Sequence, residues 1–149
     1  MKPNIIFVCL GNICRSPMAE YIFKRRAGDR YAISSAATSD EETGNPVHYG
    51  TKRVLDSLGI DCRGFAAHRL TKGECDRADL IIGMESANVR DIKRISGKEN
   101  EHKVFRLLDF SSAPRDIADP WYTHDFLSTY RDITEGLDAL LRYLERGIK

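Results

Sequence analysis

Ile5-Ile6-Phe7-Val8-Cys9-Leu10-Gly11-Asn12-Ile13-Cys14-Arg15-Ser16-Pro17 begins as an unbroken apolar run and ends on a helix-start signal. Ile5–Val8 suits a short strand buried on both faces. Ser16-Pro17 opens a helix, because proline at a first helical position lacks only an N–H that would go unpaired anyway. Between strand and helix lies a loop with a thiol at its start and a guanidinium six residues later. Loop amides, a helix N-terminus and Arg15 all favour an anion in one place. Phosphoryl or related oxyanion chemistry needs that combination.

Outward from this stretch, apolar runs alternate with helical periodicity. Tyr31–Ser35 suits a short strand, Leu80-Ile81-Ile82 a buried one, and Val104–Leu108 another strong one. Asn45-Pro46 reads as cap then proline, followed by Val47, Val54, Leu55 and Leu58 until Gly59 ends the helix. A helix runs from about Ser86 to Ile95. Phe126, Leu127, Tyr130, Ile133, Leu137, Leu140, Leu141 and Leu144 share one face of the last helix. Strands alternating with helices predict an α/β fold, a three-layer sandwich. Its four-stranded parallel sheet would carry helices on both faces and the phosphate loop after the first strand. Ligands of such sheets bind beyond the carboxyl ends of the strands, where the Cys9 loop and the long loop after Leu108 both fall. Residues 1–149 are expected to form a single domain.

Lysine and arginine total 23 against 22 for aspartate and glutamate, so no net field points to nucleic acid or an anionic membrane. No apolar run approaches the ~20 residues of a spanning helix, and the N-terminus has no signal-peptide stretch. A cytoplasmic protein without nucleic-acid or membrane partners is expected. Cys9, Cys14, Cys62 and Cys75 form no C-x-x-C pair and no zinc-finger spacing with histidine, so free thiols are expected and no metal site. No cofactor is expected: neither G-x-x-x-x-G-K-[ST] nor G-x-G-x-x-G after a strand occurs.

Each residue type in Cys9–Ser16 has a physical task. A free thiol of pKa about 8.5 is only a few per cent ionised at pH 7. Lowering that value by ~3 units takes roughly 4 kcal/mol of differential stabilisation, whereas one helix terminus contributes about 0.3–1 kcal/mol. Loop amides, Arg15 and the Ser16 hydroxyl must therefore act together on Cys9. Gly11 and Asn12 are best able to take the positive φ of a tight amide nest. Arg15 offers a planar fork that matches two phosphoryl oxygens.

Val8–Glu20, V-C-L-G-N-I-C-R-S-P-M-A-E, resembles the signature of the low-molecular-weight protein tyrosine phosphatases. The resemblance continues through Ser35-Ala36-Ala37-Thr38-Ser39, Gly44-Asn45-Pro46, Leu70-Thr71-Lys72, Asp79 to Met84, and Asp119-Pro120-Trp121-Tyr122. It implies metal-independent hydrolysis of phosphotyrosine proteins or aryl phosphates through a phosphocysteine on Cys9, releasing inorganic phosphate. Substrate would sit on Leu10, Gly11, Asn12, Ile13, Cys14 and Ser16. A leaving phenolate needs a proton. Among Asp116, Asp119 and Asp125, Asp119 is the expected acid: Pro120 biases its backbone to an extended form, and the family's Asp-Pro motif matches there.

Trp121 and Tyr122 are expected to wall the substrate ring, with Leu10 and Ile13 as apolar neighbours. Similar protein-arginine phosphatases carry threonine where Ile13 stands, so isoleucine favours phosphotyrosine. Asn12, Ser16 and Ser35 match the family's loop-holding network. Its histidine aligns with about Gly64, so that member is not matched; His68 is nearby in sequence but reads as a surface or structural histidine rather than a substitute. Glu85, in the family's Met-Asp position, is assigned no role. Glu41 and Glu42 fall in a loop that can line the pocket rim, where they would disfavour acidic peptide flanks. Cys14 is expected to trap oxidised Cys9 as a disulfide, and Cys62 and Cys75 are structural. Two other readings remain: an arsenate reductase of the same fold, which would need Cys62 or Cys75 as a relay, and a phosphotyrosine-binding module without turnover.

Overall fold

A computed structural model describes residues 2–147. The first strand, β1 (Asn4–Cys9), is central, and its residues alternate between two cores. Ile5, Phe7 and Cys9 join one cluster, whereas Ile6 and Val8 join the other. That is why the run has no polar positions: both faces are covered. β2 (Ala32–Ala37) and β3 (Leu80–Gly83) flank it, and β4 (Val104–Arg106) pairs with β3. All pairings are parallel, in the order β2-β1-β3-β4.

Helices α1 (Arg15–Ala27), α2 (Tyr49–Ser57) and α6 (Phe126–Glu145) cover one face. α3 (Lys72–Arg77) and α4 (Ser86–Ser96) cover the other. A short α5 (Pro120–Thr123) precedes α6. The expected three-layer α/β sandwich, with its loop after the first strand, is the observed architecture. No helix among the described residues is long and apolar enough to cross a membrane.

Four local expectations differ. Val104–Leu108 is a strand only to Arg106, then a 3₁₀ turn over Leu107–Phe110. Leu107 and Leu108 both enter the same core, which a strand, sending neighbours to opposite faces, cannot arrange. Gly136 of α6 admits this turn: a β-carbon there would lie 2.5 Å from Leu107 Cγ. Asn45-Pro46 does not start α2. The Asn45 amide is turned to Glu42 Oε1 (2.8 Å), and His48 caps the helix instead, its Nδ1 accepting from Gly50 N at 3.1 Å. Leu127 is 54% exposed and lies off the buried stripe of α6. α3 was not expected, although Thr71 and Glu74 form the reciprocal capping box that the sequence T-K-G-E encodes.

Candidate active site

The Cys9–Ser16 loop leaves the carboxyl end of β1 with its carbonyls drawn outward. The oxygens of Cys9, Leu10 and Ile13 accept from Thr38 N (3.0 Å), Ser39 N (3.1 Å) and His48 N (2.8 Å). The Cys14 oxygen accepts from Thr51 Oγ1 (3.1 Å) and Met18 N (3.2 Å). In a planar trans peptide the next N–H points the opposite way, so the loop's amides turn inward. Among the described residues, the amides of Gly11 to Cys14 have no acceptor. α1 starts directly from this loop, and no side chain caps it. Asn12 takes the left-handed conformation (φ 60°), whereas Gly11 does not. At Gly11 the constraint is space instead: a β-carbon there would lie 3.2 Å from Glu42 Cγ, so the Glu42 side chain would have to give by a few tenths of an ångström.

Behind the loop, completely buried Asn12 uses its whole amide. Nδ2 donates to Ser16 Oγ (2.8 Å) and Ser35 Oγ (2.9 Å), and Oδ1 accepts from His68 N (3.2 Å). Ser35 Oγ donates onward to Glu20 Oε1 at 2.5 Å. Ser16 Oγ, already accepting from Asn12, lies 3.0 Å from Cys9 Sγ and can donate its hydrogen to the sulfur. His68 joins through its main chain, while its ring pairs with Glu74 (2.8 Å). The backbone amide of His68, not its imidazole, thus completes the Asn12 network, and Gly64 contributes nothing to it.

Arg15 is 1% exposed and held on three sides. Nη1 donates to Ile117 O (2.7 Å), and Nη2 to Glu85 Oε1 (2.9 Å) and Asp119 Oδ2 (3.3 Å). Burial alone would lower its pKa, but Cys9, Asp119 and Glu85 outweigh burial and raise it. Its Nε–H is buried without a partner. Glu85 was given no role from sequence. Its place at the carboxyl end of a buried strand was the signal that it could face the site.

Cys9, Cys14, Arg15 and Asp119 line one pocket, with Leu10, Gly11 and Ile13 beside them. Trp121 and Tyr122 form part of its wall, and Glu41 and Glu42 are also in the lining. Asn12 and Ser16 stand behind the lining rather than in it. Asp119 caps α5: Oδ1 accepts from Trp121 N at 3.0 Å and Pro120 follows at the first helical position. Trp121 is 50% and Tyr122 72% exposed, too open for core residues. The ring of His48 stacks on Phe126 (centroids 5.1 Å apart) and meets Trp121 edge-on (5.6 Å). This support was not read from sequence.

Burial pushes the Cys14 thiol up to about 12, with Cys9, Asp119 and Glu42 adding to the rise against Arg15. Cys62 and Cys75 lie in opposite cores and outside the pocket lining. Burial raises both thiols, Cys75 to about 11. Among the described residues no group of His, Cys, Asp or Glu is placed to hold a metal ion. Asp116 ties Ser86 to Arg106, and Asp125 caps α6, so neither competes with Asp119 for the pocket.

The sequence matches the family described as low molecular weight phosphotyrosine protein phosphatase over residues 4–149. A low molecular weight protein-tyrosine-phosphatase of Bacillus subtilis, YfkJ, is 35% identical over 96% of each chain. PtpA of Staphylococcus aureus, of the same description, is 36% identical over 95% of this chain and 93% of its own. The crystal structure of YfkJ superposes with a TM-score of 0.94, covering 100% of this chain and 98% of that one at 34% identity. The Streptococcus pyogenes phosphatase SP-PTP superposes with a TM-score of 0.86 at 38% identity, covering 100% of this chain and 95% of its own.

Proposed function

This chain belongs to the low molecular weight protein tyrosine phosphatases, which are hydrolases, and within that family we propose that it cleaves phosphotyrosine and aryl phosphate monoesters through Cys9. The buried Nε–H of Arg15 supports this most. A charged donor without a partner costs more than the ~1–3 kcal/mol of a neutral one, and the Arg15 residue that carries it lines the same pocket as the Cys9 thiol and the loop whose amides turn inward. A phosphoryl group supplies the missing acceptors.

In the first step the Cys9 sulfur, as thiolate, attacks phosphorus. The inward amides and the Arg15 fork take the equatorial oxygens. An arriving phosphoryl group competes for the Arg15 Nη2 donor that Asp119 holds at 3.3 Å. Asp119 Oδ2 is then free to face the ester oxygen and give it a proton as the P–O bond breaks. In the second step Asp119 takes a proton from water, the water oxygen attacks phosphorus, and the S–P bond breaks to release inorganic phosphate and the Cys9 thiolate. Ser16 Oγ donates to that thiolate as it departs. Glu85 holds Arg15 without entering the reaction.

Ile13 lines the pocket and favours an aryl ring over the planar charge of phosphoarginine. An arsenate-reducing relay is not favoured, since Cys62 and Cys75 are buried in the cores. Cys14 shares the pocket with Cys9 and fits the role of resolving thiol. Peroxide converts Cys9 to a sulfenic acid, and attack by Cys14 sulfur forms the disulfide and expels water. Peroxide-treated protein should show the Cys9–Cys14 crosslink and recover with thiol; irreversible loss, no faster in Cys14→Ser, would count against it.

The function is tested by p-nitrophenyl phosphate at mildly acidic pH with chelator present. Wild type should turn over and Cys9→Ser should retain no more than ~10⁻⁴ of that rate. Activity in Cys9→Ser near the wild-type level would remove Cys9 from the mechanism.

A further inference from the structure

Leu10 and Ser39 line the Cys9 pocket and also a second groove that adjoins it. That groove runs past Thr38 and Arg69 to the C-terminal half of α4, where Asp91 and Arg94 stand. The two depressions carry opposite charge. Arg15 is the cation of the first, with Glu41, Glu42 and Asp119 also in its lining. The second has Arg69 and Arg94 against the single carboxylate of Asp91.

Arg94 Nη2 donates to Asp91 Oδ1 at 2.7 Å, so these two charges offset each other. Arg69 is exposed, and among the described residues its guanidinium has neither a hydrogen bond nor an ion pair. Its backbone, however, is fixed. Arg69 forms a parallel bridge with Ala37 at the edge of β2, and Ala37 bonds both neighbours, His68 O and Leu70 N, at 2.8 Å. An uncompensated cation therefore stands on a rigid base beside the pocket. Thr38, only 8% exposed, lines the same groove with its hydroxyl unpartnered.

We propose that this groove is a subsite for the substrate chain, where Arg69 takes the carboxylate of an Asp or Glu flanking the phosphotyrosine. This rests on the phosphotyrosine reading above. A guanidinium fork matches a carboxylate in two hydrogen bonds, and Arg69 breaks no existing ion pair to make them. Glu41 and Glu42 repel the same carboxylate at the pocket mouth. The sign of an acidic residue's effect thus depends on its position: unfavourable beside the mouth, favourable where the peptide crosses Leu10 and Ser39 into the groove.

The experiment uses phosphotyrosine peptides in which a single aspartate is walked through the flanking positions, with alanine peptides as reference. At low salt, one or two positions should raise kcat/KM about three- to tenfold over alanine, through KM. That gain should shrink as ionic strength rises. Arg69→Ala should erase the preference and Arg69→Glu should invert it, which requires a folded, active enzyme. Arg94→Ala should change it less, because Asp91 already holds Arg94. No position that gains from aspartate, or a gain that survives Arg69→Glu, overturns the subsite. Failure of wild type to hydrolyse p-nitrophenyl phosphate, which is too short to enter the groove, would instead overturn the phosphatase reading and the subsite with it.

Discussion

In the Cys9–Ser16 loop, Asn12, Arg15 and Ser16 are at most 1% exposed. The carbonyls of Cys9, Leu10, Ile13 and Cys14 and the side chain of Asn12 are tied down, which leaves the loop amides and the Arg15 Nε–H as fixed donors, unpaired among the described residues. In the Asp119–Tyr122 segment across the same pocket, two aromatic rings are half or more exposed, and what orders them is one capping carboxylate and the edge of His48. The difference separates two tasks. Binding and stabilising a phosphoryl group needs donors fixed before the substrate arrives, because reorganisation during reaction is costly. Accepting different leaving groups needs a wall whose side chains can turn.

Asp119 belongs to both regions, and after loss of the Cys9 thiol its removal should have the largest effect. Asp119→Ala should lower kcat on phosphotyrosine about 10²–10⁴-fold. The loss should be smaller on p-nitrophenyl phosphate, whose leaving phenolate is stable without a proton. Asp119→Asn keeps the cap on α5 and an oxygen for Arg15, so equal loss in Asn and Ala variants would assign the effect to proton transfer rather than positioning. Full activity in Asp119→Asn would break the comparison at its hinge.

On the rigid side, Asn12→Gly keeps the left-handed φ but deletes the amide that joins Ser16, Ser35 and His68. Urea unfolding should show a loss of about 2–4 kcal/mol, from buried groups left unpaired. Asn12→Ala adds the side-chain penalty of that conformation, roughly 1–2 kcal/mol more. Wild-type stability in Asn12→Gly would mean that the loop does not depend on its buried network. On the open side, Trp121→Ala should raise KM for phosphotyrosine by roughly three- to tenfold, the worth of one stacked ring, with little change in melting temperature. A large fall in melting temperature would mark Trp121 as core rather than wall.

The smallest effect is on pH. Burial lowers the His48 pKa, with His124 helping and Glu42 opposing. The folded protein therefore binds fewer protons at His48 than the unfolded chain as pH falls through the ordinary value of about 6.5. The His48 contribution to stability is complete above that pH and declines below it, where protonation also removes the Nδ1 acceptor from the helix cap. His48→Asn supplies a cap that does not titrate. Wild type should lose melting temperature relative to this variant on going from about pH 8 to about pH 5; parallel curves would show that His48 stays out of the balance.

The rigid region was the legible one. Ile5–Val8 had no polar residue because both its faces are covered, and Ser16-Pro17 marked the helix start, so the loop between them was bounded from sequence. Asp119 was legible because Pro120 holds the residue before it extended and because the family's Asp-Pro motif matches there; that the pair also caps short α5 was not read from sequence. Glu85 was less legible: its place after buried β3 puts it at the carboxyl edge of the sheet, but its partner Arg15 lies 70 residues away in the chain. His48 was missed for a similar reason: its stacking partner Phe126 is far along the chain.

The sequence by itself determined the alternation of strands and helices, the anion-holding character of Cys9–Ser16 and the family, because these follow from periodicity and from short contiguous motifs. Only the tertiary structure decided how Arg15 is held by Ile117, Glu85 and Asp119, and how Arg69 comes to stand beside the pocket. Those pairings join residues distant in the chain, and their geometry is set by parallel strand register and by which side chains the two cores leave at the carboxyl edge of the sheet.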